Sequence, residues 1–293
     1  MVTGQAYAGF LQALGHRVVQ TPTAHWYDAS RWVAMSAPPN RVYAPAPDEL
    51  RSVMRGLACI GVRFAAPLPG PGTPSYQIVC DNPNYGFETL SANVRSKVRR
   101  GLKRCRVEAV SCAVAATAGR QAHADTVGRQ RRVGGLDGLR WERFWSAAAA
   151  TPGIEVWGAW CDEDLAAFLV SVTFEDCVEF LLARSRSEHL GAYPNNALLF
   201  TVTEEMLGRR RVGRITFGLE SLEAVGPLDQ FKFGMGFRAE PLCQRVVLHP
   251  LVRTALRAAP VRGAFGRWAK RREDSVFWRK AAGLLRFAED GGS

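Results

Sequence analysis

The feature that most restricts the fold is the order of hydrophobic patterns between residues 154 and 248. Three strand-like runs come first: Ile154 to Trp160, Ala166 to Phe174 and Cys177 to Ser185. Only the short polar breaks CDED and EDC separate them, which suits antiparallel hairpins. The helical pattern NALLFTVTEEMLGRR follows, reads as strongly amphipathic and is expected to start at Asn195-Asn196. Then come the strand RITFGL, the segment LDQFKFGMGF and a last strand, CQRVVL. A helix between the third and fourth strands is a crossover, so those two strands should pair in parallel. The order predicts an α/β fold with a mixed sheet, although other α+β folds share it.

Residues 1 to about 115 read as a smaller α/β unit. GQAYAGFLQALG is expected to be a helix, as is Asp48 to Cys59, where Leu50, Val53, Met54 and Leu57 recur at helical spacing. Ile60 to Phe64 and Tyr76 to Cys80 are expected strands. PLPGPGTP between them is a loop, since proline and glycine break ladders. A basic helix, TLSANVRSKVRRGLKRC, and a short strand at Val107 to Val110 complete the unit. Two more helices are expected at Ala122 to Arg132 and Leu139 to Ala150, parted by Gly134, Gly135 and Gly138. Residues 251–293 form a basic, aromatic-dotted tail of short helices broken by Pro260 and Gly263.

Charge is localised. Seven basic residues lie between Arg95 and Arg106, and ten between Arg253 and Arg286 against Glu273 and Asp274. These segments carry +7 and +8 of a formal +11, so the rest carries −4. Two local patches suggest an anionic partner: phosphate, nucleic acid or a membrane surface. In the tail, Trp268, Phe277, Trp278, Leu284, Leu285 and Phe287 alternate with cations, as on a membrane-surface helix or on a helix packed at a domain edge. The hydrophobic fraction of 47% holds no run long enough to span a bilayer, and no basic region precedes the first apolar stretch. The expected location is the cytoplasm, with peripheral membrane contact through the tail as the variant reading.

The seven cysteines, Cys59, Cys80, Cys105, Cys112, Cys161, Cys177 and Cys243, are odd in number and irregular in spacing. Neither a disulfide framework nor a zinc site is expected. They read as small buried thiols in a reducing compartment. Gly234, Gly236 and Ala239 spell G-x-G-x-x-A, but Glu240-Pro241 follows and no helix opens, so the dinucleotide reading is rejected.

The stretch from Ala122 to Leu248 resembles the FemAB-like and CelD-like acyltransferases of the GNAT superfamily. Three anchors carry the resemblance: Pro-Asn ahead of the long helix, a strand ending in Phe217-Gly218, and Phe231-Lys232 followed by Gly236-Phe237. DTVGRQRRVGGL and WERFWSAAAATPGIEVWGAW are similar to the family as well. The resemblance implies a GNAT fold over 116–250. It also implies a degenerate GNAT-like lobe over 1–115, since FemAB proteins carry two related lobes.

The resemblance further implies acyl transfer to an amine. That reaction needs a held carrier, a donor to the oxyanion and a proton for the leaving group. The start of the long helix would cradle the pyrophosphate of acyl-CoA through its free N–H groups. Arg184, Arg186, Asn195, Asn196 and Ala197 are the implied contacts, with Asn195 or Asn196 as a plain N-cap the alternative. The family's glycine-rich loop is not intact here, since the loop reads RSEHLGAYPNN. Five residues before Phe237, where many GNAT enzymes have a tyrosine, stands Lys232. Lys232 with Phe231 is the implied catalytic pair. Glu220 is the candidate base, with Glu223 and His189 as candidate acceptor contacts. No metal is expected.

Three functions compete. The first is an N-acyltransferase using acyl-CoA on an amino sugar, a cell-envelope precursor or a small amine. The second moves an amino acid from aminoacyl-tRNA to a peptidoglycan precursor, with the tRNA on Arg95 to Arg106. The third is a non-catalytic protein that binds anionic surfaces.

Overall fold

The computed structural model describes residues 3–130, 136–209, 212–220 and 226–257. Its elements, in chain order, are α1 (Gly4–Ala13), β1 (Val18–Gln20), β2 (His25–Tyr27), β3 (Val33–Ala37), α2 (Pro47–Leu57), β4 (Gly61–Ala66) and β5 (Thr73–Cys80). Next come α3 (Ala92–Arg104), β6 (Arg106–Val110), α4 (Cys112–Ala118), α5 (Arg120–Arg129), α6 (Gly138–Ala150), β7 (Ile154–Cys161), β8 (Asp164–Phe174) and β9 (Cys177–Ser185). The chain continues through α7 (Pro194–Gly208), β10 (Arg214–Leu219), α8 (Gly226–Gly234), β11 (Arg238–Leu248) and α9 (Pro250–Arg257). No described helix is long and apolar enough to cross a membrane.

The chain forms two compact units. One comprises residues 7–77, 219–220 and 240–257 among those described, and the other 3–6, 78–130, 136–209, 212–218 and 226–239. In the first, β1–β2 and β2–β3 pair antiparallel, α2 crosses over, and β4 returns parallel to β3 through Ala34↔Val62. β11 then pairs antiparallel with β4 through Arg245↔Phe64. One face of α2 supplies Leu50, Val53, Met54 and Leu57 to a core around Trp26 and Phe64, whose rings meet edge to face at 5.7 Å. The three short strands β1 to β3 escape the sequence reading, because VVQ and HWY are too brief to show a period of two.

The second unit repeats that order with longer elements. β7–β8 and β8–β9 are antiparallel, α7 crosses over, and β10 runs parallel to β9. β6 adds antiparallel to the far edge of β7. α3 packs on α7, where Gly101 approaches so closely that a Cβ would lie 2.7 Å from the Tyr193 carbonyl oxygen. α3 and β6 therefore fall with the second unit, so the units do not divide at residue 115. What ties them there is a ladder and a small-residue helix contact, and neither shows in the local pattern.

α7 is not the amphipathic helix that its sequence suggested. Pro194, Asn196, Ala197, Leu198, Leu199, Phe200, Val202, Thr203 and Met206 are all buried, on more than one side. A helix covered by a sheet on one flank and by another helix on the next needs no wide polar face. Its start also differs from expectation. Tyr193, in the left-handed conformation at φ 61°, occupies the cap position and Pro194 opens the first turn, so neither Asn195 nor Asn196 caps it.

Candidate active site

β9 and β10 pair at one end only. Arg214, Ile215 and Thr216 lie opposite Cys177, Val178 and Glu179. Phe180 to Ser185 form no pair with β10 among the described residues. Two local devices sit at the parting. Leu181 is an extra residue in β9, because Ser171 faces Phe180 while Val170 faces Leu182. Such a bulge bends and twists its strand. In β10, Gly218 has φ +80°, and its N–H is held by Thr216 Oγ1 at 2.9 Å. An L side chain is strained at that angle.

Side chains alternate across a strand, so the two faces of the gap differ. Phe217 and Phe180 share one face, their rings 5.2 Å apart, and Phe237 joins them 4.9 Å from Phe217. Lys232 Nζ stands 5.1 Å from the centre of the Phe217 ring and donates to Asp229 Oδ1 at 2.9 Å. The five-residue spacing from Lys232 to Phe237 now has a physical cause. The Phe237 N–H bonds the Lys232 carbonyl at 3.3 Å and the Gly236 N–H bonds that of Phe233 at 3.1 Å. This is the double hydrogen bond that ends a helix on a left-handed glycine, here Gly236 at φ +87°. Tyr85 locks the turn, donating to the Met235 carbonyl at 2.8 Å and lying where a Cβ on Gly236 would meet its ring at 2.9 Å. The helix end therefore sets Lys232 and Phe237 together against Phe217.

Glu179 shares the opposite face with Thr216 and Gly218. α6 packs on that face of β8. Val172 opposes Glu179, and Phe168, on the same side of β8, packs 5.7 Å from Trp145. Glu179 is buried, its Oε2 has no hydrogen-bond partner among the described residues, and burial pushes its carboxyl up to about 7. A Cβ on Gly218 would lie 3.7 Å from Glu179 Oε1, so glycine leaves the carboxylate uncovered from β10. The parting strands thus carry an ammonium on one face and, at the last pair of the ladder, a buried carboxylate able to take a proton near neutral pH on the other. Glu179 was missed from the sequence; the signal was one carboxylate inside the otherwise apolar run CVEFLL.

The other expected site residues have contacts of their own. Phe231 is half-buried on α8, its carbonyl accepting from Met235. Glu220 belongs to the first unit, where its carboxylate accepts from Ser75 Oγ at 2.7 Å and its carbonyl from Arg63 and Gln244. Glu223 lies outside the described residues, as does the tail beyond Arg257. His189 Nε2 sits 3.1 Å from Asp164 Oδ2, and Arg186 bridges Asp164 and Glu188, so these residues form an ion-pair cluster. Hydrogen bonds from His189 and Arg186 hold the Asp164 carboxyl below its ordinary range.

The expected carrier contacts do not form an open cradle. Arg184 is buried and donates to His123 Nδ1 at 3.2 Å. Burial, with Arg184 alongside, lowers the His123 pKa. Asn195 donates to Ser185 Oγ at 3.1 Å, and Asn196 reaches Met235 Sδ at 3.4 Å. Ala197 is fully buried, and a Cβ on Gly101 of α3 would lie 3.3 Å from its backbone nitrogen. α3 thus lies across the first turn of α7.

Four of the six cations of α3 share one face of the helix, while Arg104 donates to the Gly191 carbonyl at 3.1 Å. Val98 and Gly101 are buried toward α7, while Arg95, Ser96, Arg99, Arg100 and Lys103 line an open cavity of about 380 Å³ on the other side. Arg99 lies 5.4 Å over the Phe87 ring and Arg100 4.5 Å over that of Tyr193, which orients both guanidinium groups.

No family model matches the sequence, and no curated protein matches it either. Solved structures do match the fold. A crystal structure of FemX superposes with a TM-score of 0.59 at 11% identity, covering 87% of this chain and 98% of that one. The chain has the FemX fold. The C-terminal domain of a putative lysylphosphatidylglycerol synthetase from Agrobacterium fabrum gives 0.58 at 13% identity, covering 87% and 91%. L-PGS from Bacillus licheniformis gives 0.56 at 13%, covering 87% and 89%. The FemAB-like resemblance drawn from Phe217-Gly218, Phe231-Lys232 and Gly236-Phe237 therefore agrees with the fold.

Proposed function

We propose that this chain is a transferase that moves an acyl group onto an amine in the gap between β9 and β10. The observation that carries this reading is Glu179: a buried carboxylate with an unpartnered oxygen where the two strands part, and a titration range near neutrality. In the proposed reaction, Glu179 takes a proton from the acceptor amine. The amine nitrogen then bonds the acyl carbon, and the negative charge on the carbonyl oxygen is met by the Lys232 ammonium. Collapse breaks the bond from the acyl carbon to the carrier oxygen or sulfur, which leaves with a proton.

For the donor, the packing favours aminoacyl-tRNA over acyl-CoA. A pyrophosphate cradled at the start of α7 needs open N–H groups there, and α3 covers that turn. The outward cations of α3 offer phosphate contacts instead. The lysylphosphatidylglycerol synthetase domain that shares the fold joins, by its name, a lysyl group to a lipid, and that supports an amino-acid transfer. The acceptor would then be a cell-envelope precursor carrying an amine. Incubating the protein with labelled aminoacyl-tRNA or labelled acetyl-CoA, with a peptidoglycan precursor present, tests it. Label passing from the tRNA to the precursor, lost in Glu179→Gln, is expected. Transfer from acetyl-CoA alone would return the donor to the acyl-CoA reading. Binding of RNA without transfer from either donor would make the chain a non-catalytic binding protein.

A further inference from the structure

β6 and β7 run antiparallel with Arg106 opposite Trp160, so the next residues outward, Cys105 and Cys161, face each other across the ladder. Their sulfurs lie 2.6 Å apart, although 56 positions separate them in sequence. Directly opposed residues of an antiparallel pair have Cα atoms about 4.5 to 5.5 Å apart. That separation lies inside the range of about 4.4 to 6.8 Å that a disulfide spans without backbone movement. Both side chains are buried. Cys105 also terminates α3, its N–H bonding the Gly101 carbonyl at 2.8 Å and its sulfur lying 3.9 Å from the Ala192 carbonyl. Cys161 is the last residue of β7.

We propose that Cys105 and Cys161 are an oxidation site, converted by a small peroxide into a disulfide that fastens the end of α3 to the end of β7. The step balances. Hydrogen peroxide oxidises one thiol to a sulfenic acid and releases water. The second sulfur then bonds the first, and a second water leaves with the two remaining hydrogens. The two sulfurs are oxidised by two electrons in total and the peroxide is reduced. Burial pushes both thiols above their ordinary range, so the attack on peroxide goes through the small deprotonated fraction and is slow, and a buried sulfur admits only a small, uncharged oxidant. The consequence falls on α3, whose outward face carries the cations and whose inner face covers the start of α7. The site does not depend on the proposed transferase activity, so the two can fail separately.

The test uses the full chain, kept reduced or treated with hydrogen peroxide, then blocked with an alkylating reagent and digested without reductant. A linked pair of peptides containing Cys105 and Cys161 is expected, with the thiol count in denaturant falling from seven toward five. The linked species should vanish in both Cys105→Ser and Cys161→Ser; should those variants not fold, the wild-type map alone decides. Oxidised protein should also melt at a higher temperature, reversibly on adding dithiothreitol. Recovery of Cys105 and Cys161 as separately alkylated peptides, after the half-exposed Cys112 and Cys177 have been oxidised, would overturn the proposal. A formed bond that leaves the melting temperature unchanged would overturn the claim that it secures α3.

Discussion

Replacing Glu179 by glutamine should flatten part of the pH dependence of stability and abolish transfer. The carboxyl has an ordinary pKa of 4.5 and is raised to about 7 in the fold by burial. Below the ordinary value both folded and unfolded chains hold the proton, and the site has no linkage penalty. As pH rises from 4.5 toward 7 the unfolded chain releases its proton while the folded chain keeps it, so stability falls; above about 7 the loss is complete. At about 1.4 kcal/mol per unit, a rise of about 2.5 units makes the full penalty about 3 kcal/mol, of which about 2 kcal/mol falls between pH 5.5 and pH 8. Denaturant unfolding of wild type and Glu179→Gln at both pH values measures the difference. Wild type should lose about 2 kcal/mol more than the variant across that interval, and transfer should rise with an apparent pKa near 7 in wild type only. Parallel pH profiles of stability would mean that Glu179 is solvated and ordinary. A fully active variant would remove it from the chemistry.

Lys232→Ala should reduce transfer by about 10²-fold or more, as loss of an oxyanion donor does. It should also lower stability by about 1 to 3 kcal/mol in denaturant unfolding, because the buried Asp229 loses its cation. Adding Asp229→Asn should recover stability without activity, and recovered activity would contradict the assignment. Gly101→Ala should lower stability by about 1 to 3 kcal/mol in the same assay, because its Cβ would meet the Tyr193 carbonyl oxygen at 2.7 Å. An unchanged midpoint would show that α3 and α7 can separate at no cost. The triple variant Arg99→Gln, Arg100→Gln, Lys103→Gln should bind RNA more weakly, with the slope of log affinity against log salt reduced by about 2 to 3. An unaltered slope in a filter-binding titration would exclude this face as the phosphate contact.

What could be read from the sequence was governed by neighbours along the chain. The βββαβ order of β7 to β10 follows from strand periodicity, short polar breaks and one long helical pattern. The spacing from Lys232 to Phe237 is likewise local, because a helix ending on Gly236 fixes both residues by hydrogen bonds within one turn. Glu220 is a candidate base because it follows a strand, and its partner Ser75 lies 145 positions away. Nothing in the sequence could place that contact. The same holds for α3: its cations are visible in the sequence, but not the Gly101 contact that lays it over α7 and turns four of them outward.

Sequence alone determined which of the longer elements form, in what order, and that Lys232 stands five residues before Phe237, since torsions and hydrogen bonds between near neighbours decide these things. Only the tertiary structure decided that Glu179 is dry, that the start of α7 is covered, and that Cys105 meets Cys161. Desolvation and contact depend on which distant segments exclude water from a group, and no window of consecutive residues records that.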